Sequence, residues 1–291
     1  MHSLTGALTP EPTADGSFTL FSEDFGEWFH SREGAYAEAF QTYVEATDLA
    51  TLAQGPTLTI LDVCYGLGYN TAAALATIQQ VNPHCQVTLV GLELDPRVPQ
   101  QAIREKLTWG WPETVQTHLA TLAEQGKIES LNLQARLLIG DAREEIQNLV
   151  AETFLADVIF FDPFSPPRCP ELWTVEFIHQ VARCLKPGGK LATYSCAAAV
   201  RTAFCLAGLH IGSVKAGGRH WPGTLAQYSA LGLGSLSEQE IDHLTTKAAV
   251  PYRDPDLKDH PDFIRDRRKK EQQISTLKPT SLWRQRWLPR R

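Results

Sequence analysis

The stretch Leu58-Thr59-Ile60-Leu61-Asp62-Val63-Cys64-Tyr65-Gly66-Leu67-Gly68-Tyr69-Asn70 decides how this chain is read. Its first six residues form a short apolar run suited to a buried strand. A glycine-bearing turn follows, and residues 71–80 continue with helix-like spacing. The same alternation repeats downstream. Apolar runs at 87–93, 134–139, 157–162 and 190–195 are separated by helical stretches after Pro99, at 113–125 and at 173–185. The last of these helices meets Lys186-Pro187-Gly188-Gly189, a strong stop signal. Apolar runs alternating with helices predict an α/β, Rossmann-like, doubly wound and mostly parallel sheet. Two further runs, 209–214 and 225–231, joined through Gly217-Gly218, predict an antiparallel C-terminal hairpin. Upstream, residues 15–20 read as a turn entering a short strand, and 35–52 as a helix closed by Gly55-Pro56.

Composition narrows the class. The 291 residues are 43% hydrophobic and 21% charged, an ordinary globular profile. No run approaches the ~18 apolar residues of a membrane-spanning helix. The first residues lack the basic and apolar regions of a secretory signal. Six scattered cysteines without a Cys-x-x-Cys pair argue against a disulfide framework and against zinc, so reduced thiols in a cytoplasmic protein and no metal are expected. Residues 265–291 hold ten basic and two acidic side chains, a net of +8, so the rest of the chain carries −14 of the total −6. Such a body argues against a membrane-coating surface and leaves room for a polyanion at one end.

In an open parallel sheet the ligand lies beyond the carboxyl ends of the strands. Four consecutive strands end in or near a carboxylate here: Asp62 before the glycine loop, Glu93-Leu94-Asp95, Gly140-Asp141-Ala142 and Asp162-Pro163-Phe164. Singly, Asp62 or Asp141 could merely cap a helix. As a set they repel phosphate. The loop also departs from Gly-x-Gly-x-x-Gly, with Thr71 at its third glycine position and no basic residue. The expected ligand is cationic and rich in hydroxyls. S-adenosylmethionine fits, with its ribose at Glu93, its adenine amine at Asp141 and its charged end toward Asp62 and Asp162.

This pattern resembles a class I S-adenosylmethionine-dependent methyltransferase, with Cys64 where that superfamily usually has its first glycine. The segment Asp162-Pro163-Phe164-Ser165-Pro166-Pro167-Arg168-Cys169-Pro170-Glu171-Leu172-Trp173 further resembles the Asp-Gly-Phe-Ala-Pro-x-x-x-Pro-x-x-Trp signature of the MnmC methyltransferase family. Thr13-Ala14-Asp15-Gly16-Ser17 with Tyr36 and Glu38, Leu191-Ala192-Thr193-Tyr194-Ser195-Cys196-Ala197, Val200-Arg201 and Ala207-Gly208-Leu209 extend the match over roughly 13–230. The resemblance implies methylation of 5-aminomethyl(-2-thio)uridine at the tRNA wobble position, in a stand-alone form without the FAD-dependent oxidase domain. It divides the chain into an N-terminal extension (1–55) packing on the core, a methyltransferase domain (56–234) and a C-terminal extension with the basic tail (235–291). Cofactor contacts are expected from Asp62, Tyr65, Gly66, Gly68, Asn70, Glu93, Asp141, Ala142 and Asp162.

Methyl transfer to an amine needs the nucleophile neutral, held in line, and relieved of a proton. Asp162 is the expected catalytic residue. With an ordinary pKa near 4 it would orient the amine more than deprotonate it. Phe164 and Pro166, with Pro167, would wall a flipped uracil. Arg201 and Lys215 are also expected at the substrate, and Lys215, Arg219 and His220 could meet the anticodon backbone or simply be solvated. Trp173 and Phe177 read as core. In the tail, Trp283 and Arg284-Gln285-Arg286-Trp287 suit phosphate contact with base stacking, or packing on the domain. The alternative enzyme is an aminopropyltransferase of the spermidine synthase type, whose longer Gly-Gly-Gly-Asp-Gly-Gly run is missing. Another small-molecule methyltransferase, or a binding module without chemistry, would share the fold.

Overall fold

The computed structural model describes residues 5–288. Arg290 and Arg291 of the basic tail lie outside them. Three short strands come first, β1 (Leu8–Pro12), β2 (Phe18–Ser22) and β3 (Glu27–Trp28), paired antiparallel in a small sheet. The larger sheet contains β4 (Thr57–Val63), β5 (Gln86–Glu93), β6 (Lys127–Glu129), β7 (Leu133–Ile139), β8 (Ala156–Phe161), β9 (Leu185–Thr193), β10 (His210–Val214) and β11 (Gly223–Gln227). Its order is β10-β11-β9-β8-β4-β5-β7-β6, with the five central strands parallel and β6, β10 and β11 antiparallel. The doubly wound sheet and the C-terminal antiparallel pair are thus as expected. The four apolar runs from 58–63 to 157–162 become strands to within one residue at each end.

Two strands differ from the reading. β9 begins at Leu185, because the chain stays extended through residues 186–189. Those residues bulge, so Ala156 pairs with Leu185 but Val158 with Lys190. Lys186-Pro187-Gly188-Gly189 ends a helix and then enters the sheet. β11 stops at Gln227, whose Nε2 donates back to the carbonyls of Ser229 and Leu231 and folds the chain into a loop.

The helices are α1 (Ala35–Glu38), α2 (Leu49–Leu52), α3 (Tyr69–Val81), α4 (Arg97–Arg104), α5 (Glu113–Gln125), α6 (Ala142–Ala151), α7 (Val175–Arg183), α8 (Ala198–Leu206), α9 (Glu238–Leu244), α10 (Pro261–Ile274) and α11 (Thr280–Trp287). Between α1 and α2 the chain winds as a wider π-helix over Ala39–Glu45. Two apolar cores cover the two faces of the sheet. Trp173 and Phe177 are fully buried in one of them, as read from the sequence.

Both extensions are fastened to the sheet. Arg97, at the start of α4, donates to the Gly6 carbonyl and pairs with Asp24. The loop 215–222 between β10 and β11 docks against the N-terminal extension, where the Gly217 amide donates to Thr42 Oγ1 at 3.0 Å and Ser31 Oγ donates to the Gly218 carbonyl at 2.7 Å. At the C-terminal end, the tail's cations are largely committed. Arg265 donates to the Pro167 and Arg168 carbonyls, Arg267 to Asp259 and Arg253, and Arg268 to the Val250 and Ala248 carbonyls over the Tyr252 ring. Trp283 stacks on His243 at 4.1 Å and donates to the Gln239 carbonyl, while Trp287 donates to Asp242. Both indoles contact α9; Trp283 is buried there, while Trp287 stays half-exposed.

The docked loop makes a specific demand on residue 217. A Cβ there would lie 1.9 Å from the Ala37 carbonyl oxygen, and backbone cannot yield as a side chain would. Gly217→Ala is therefore expected to cost about 1–3 kcal/mol, the range for overpacking. Gly188→Ala, where nothing lies within 4 Å, should stay within about 0.5 kcal/mol. Urea denaturation of the two variants measures the contrast.

Candidate active site

β4 has β5 on one side and β8 on the other, so successive crossovers diverge from it. A crevice at the carboxyl ends of such strands is the usual ligand position in open α/β sheets. A cleft of about 340 Å³ opens there. Its floor comes from the turns after β4, β5, β7 and β8, and its roof from the segment around β3 in the N-terminal extension. Tyr65, Gly66, Glu93, Asp141, Ala142, Asp162 and Phe164 all line it.

The loop after β4 is shaped by its own hydrogen bonds. The Gly66 amide donates to Glu93 Oε2 and the Asp95 amide to Glu93 Oε1, both at 2.8 Å. Gly68 precedes α3 at φ 82°, and a Cβ on it would lie 2.6 Å from the Tyr65 hydroxyl, so only glycine fits. Cys64 holds φ 69°, the left-handed conformation that glycine takes without strain. Cysteine at the superfamily's usual glycine position therefore holds a left-handed backbone at a cost that glycine would not carry. Three residues expected at the cofactor do not line the cleft. Gly68 makes room for Tyr65. Asp62 is fully buried and accepts from Thr71 Oγ1 at 2.7 Å, with its Oδ1 unpartnered. Asn70 Nδ2 donates to Asp162 Oδ2 at 2.9 Å and so orients that carboxyl.

The carboxyl groups sort into two classes. Those toward the outer strands are neutralised: Asp141 caps α6 and is gripped by Arg143 at 2.7 Å, and Asp95 by Arg97 at 2.6 Å. Arg143 in turn reaches the fully buried Asp254 of the C-terminal extension at 3.0 Å. The central three, Asp62, Glu93 and Asp162, make no ion pair among the described residues. Burial, reinforced by the Asp162 and Glu93 charges, pushes Asp62 up to about 8. Burial, with Asp95 adding to it, raises Glu93 to about 7. Asp162 also rises to about 7, through burial and the nearby Glu38, against the opposing effects of Tyr43, Asn70 and Arg219. The ordinary pKa assumed for Asp162 is thus corrected. Near neutral pH this carboxylate is basic enough to take a proton.

The substrate side differs more from the reading. Phe164 lines the cleft, stacked on Phe25 at 4.5 Å and edge-on to Phe29 at 4.8 Å. Pro166 is buried beneath the loop, and Pro163 takes the lining position. Arg201 is only 1% exposed, bonded to Thr224 and ion-paired with Glu240 at 2.7 Å, which ties α8 to α9 and keeps it from substrate. Lys215 is exposed and does not line the cleft, whereas Arg219 in the same loop does. Further residues join the site without a local sequence signal. Glu38, 1% exposed, accepts from Arg219 Nε at 2.5 Å, and the Tyr43 hydroxyl lies beside Asp162 without a partner of its own. The π-helical winding brings residues five apart to nearly one side of the axis, which an α-helix would splay. Glu38 had drawn notice only as part of the family match.

Glu93 and Asp162, cleft carboxyls without an ion pair among the described residues, and a part-apolar lining suit a small molecule with a cationic end and hydroxyl groups. Comparisons with known proteins agree with that chemistry. A profile described as S-adenosyl-L-methionine-dependent methyltransferase matches residues 100–229. An uncharacterized protein of Methanocaldococcus jannaschii is 30% identical over 272 residues, covering 90% of this chain and 72% of that one. The tRNA 5-methylaminomethyl-2-thiouridine biosynthesis bifunctional protein MnmC of Ralstonia nicotianae is 29% identical over 234 residues. That match takes in 76% of this chain but only 34% of the bifunctional protein, so the chain spans about a third of its length. The crystal structure of MnmC2 from Aquifex aeolicus superposes with a TM-score of 0.81 at 30% identity, covering 94% of this chain and 87% of that one. The chain belongs to the S-adenosyl-L-methionine-dependent methyltransferase family that includes MnmC2 of Aquifex aeolicus.

Proposed function

We propose that this enzyme methylates the amine of 5-aminomethyl(-2-thio)uridine at the wobble position of tRNA, giving the 5-methylaminomethyl product. The observation that carries the reading is Asp162, a near-neutral carboxyl in an aromatic-walled cleft. The product named for the MnmC relatives is a methylated amine on a uridine, and such chemistry needs a base at that place. Glu93, Asp141 and the Gly66 loop would hold the cofactor's ribose, adenine and charged end respectively. When bound, the cofactor supplies an electrophilic methyl group on a sulfonium sulfur.

The remaining work falls to this chain. Asp162, steadied by Asn70, accepts a hydrogen bond from the amine and points its lone pair toward the methyl carbon. As the nitrogen gains the methyl group, one of its protons passes to the carboxylate. Phe164, backed by Phe25 and Phe29, offers the flipped base an apolar face. The anticodon reaches the cleft past the N-terminal roof, where Arg32 lies over Trp28. The exposed Lys269 and Lys270 of α10 offer phosphate contacts farther out.

Two experiments test the reading. Purified enzyme with cofactor and tRNA carrying the aminomethyl group should add one methyl to the wobble nucleoside. Nucleoside mass spectrometry without that mass gain would refute it. Asp162→Asn should lower kcat by about 10²–10⁴-fold, the usual worth of a positioned base. In the parent enzyme at saturating cofactor, kcat/KM for tRNA should climb with pH through about 7, because the carboxylate form of Asp162 exists above that value. The variant should lack that rise, and a retained limb would assign the titration to another group.

A further inference from the structure

Arg219 is out of place in a cleft that receives an amine. It projects from the loop 215–222 into the lining, with its side chain 33% exposed. Its Nε is tied to Glu38, and its guanidinium carbon lies over the Tyr194 ring, 4.1 Å from the centroid. Tyr194 is itself fixed through its hydroxyl, which donates to the Pro163 carbonyl at 2.9 Å, next to Asp162. Among the described residues Nη1 and Nη2 have no hydrogen-bond partner. The fold thus holds a guanidinium rigidly by one nitrogen and one face and leaves its outer edge open. The surrounding charged and titratable groups include Glu38, Asp162, Tyr194, Tyr43, Cys196 and the buried His30.

With Glu38 balancing its charge, Arg219 brings directed donors to the cleft more than net positive charge. It favours a substrate that brings an acceptor oxygen beside its amine. In a 5-aminomethyl pyrimidine the ring carbon bearing the side chain adjoins C4, which in uracil carries a carbonyl oxygen. In cytosine C4 carries an amino group, a donor that would face the guanidinium donors. We infer that Arg219 reads the base, donating from its open Nη edge to the C4 carbonyl oxygen of the uracil. The inference rests on the wobble-uridine reading above. A guanidinium held by stacking presents its N–H groups in a fixed fork, which lysine cannot reproduce. A site built to bond one ring substituent strongly rejects the analogue that lacks it.

The test uses anticodon stem-loops with 5-aminomethyluridine or 5-aminomethylcytidine at the wobble position, and parent, Arg219→Lys, Arg219→Gln and Glu38→Gln/Arg219→Gln enzymes. The double variant removes the buried carboxylate that the single one would leave unpaired, and melting temperatures confirm that each protein is folded. The parent should prefer the uridine substrate at least tenfold. Arg219→Gln should lose about 10–100-fold in kcat/KM on uridine and little on cytidine, so the preference collapses toward one. The double variant should behave alike, and Arg219→Lys should recover only part of the preference. Stem-loop binding without cofactor supplies a second readout, the slope of log Kd against log salt, which should be the same in parent and Arg219→Gln. A loss equal on both bases, with a slope smaller by about one, would make Arg219 a phosphate contact and overturn the inference. So would a preference unchanged by Arg219→Gln. If the parent methylates neither stem-loop, the wobble-uridine reading itself falls.

Discussion

The central constraint on this structure is the crowding of Asp62, Glu93 and Asp162 at the carboxyl edge of a buried parallel sheet. Like charges taken out of water cannot all stay ionised. Elsewhere the fold neutralises such groups with arginine, as at Asp141 and Asp95. In the centre it supplies only neutral donors: Thr71 to Asp62, the Gly66 and Asp95 amides to Glu93, and Asn70 to Asp162. No arginine or lysine pairs directly with these three among the described residues, and Arg219, tied to Glu38, acts on Asp162 only from a distance. Under the proposed placement of the cofactor, its charged end would lie toward this unpaired group of acids.

Much of the remaining architecture positions groups around that centre. The N-terminal extension roofs the cleft, and its π-helical segment sets Glu38 and Tyr43 against Asp162. Glu38 accepts from the Ser31 amide as well as from Arg219, so one buried carboxylate joins the roof to the β10–β11 loop. On the opposite flank Arg143 joins Asp141 to Asp254, which ties that side of the cleft to the C-terminal segment. The +8 tail therefore has a structural task. Several of its cations close α10 and α11 onto the body, and Lys269 and Lys270 are among those left exposed.

The sheet was legible in the sequence because buried parallel strands are near-continuous apolar runs, and the carboxylates at their ends stand out against them. Short antiparallel strands left no such trace. β1 and β3 are only partly buried, and β6 (Lys-Ile-Glu) has a single apolar residue. The β9 bulge was missed because Pro187 and the glycines after it mark a helix end whether or not the chain then enters a sheet. Asp162 and Phe164 were read correctly as cleft residues, since the strand-to-turn junction fixes their place. Arg201 was misread because a basic residue on a helix gives no sign of which way it points. Glu38 and Arg219 meet across 181 positions of chain, and only the folded loop contacts bring them together.

The free enzyme is expected to hold protons at its central carboxyls and to give them up to a cationic ligand. Isothermal titration of the cofactor at pH 7, in two buffers of different ionisation enthalpy, counts the protons exchanged. With Asp62 near 8 and Glu93 and Asp162 near 7 in the free protein, binding should release protons, and affinity should rise as pH increases from 6 to 8. Glu93→Gln should reduce the release. Heats identical in both buffers, with an affinity indifferent to pH, would mean that these groups are already ionised and that cofactor charge is not what the buried acids recognise.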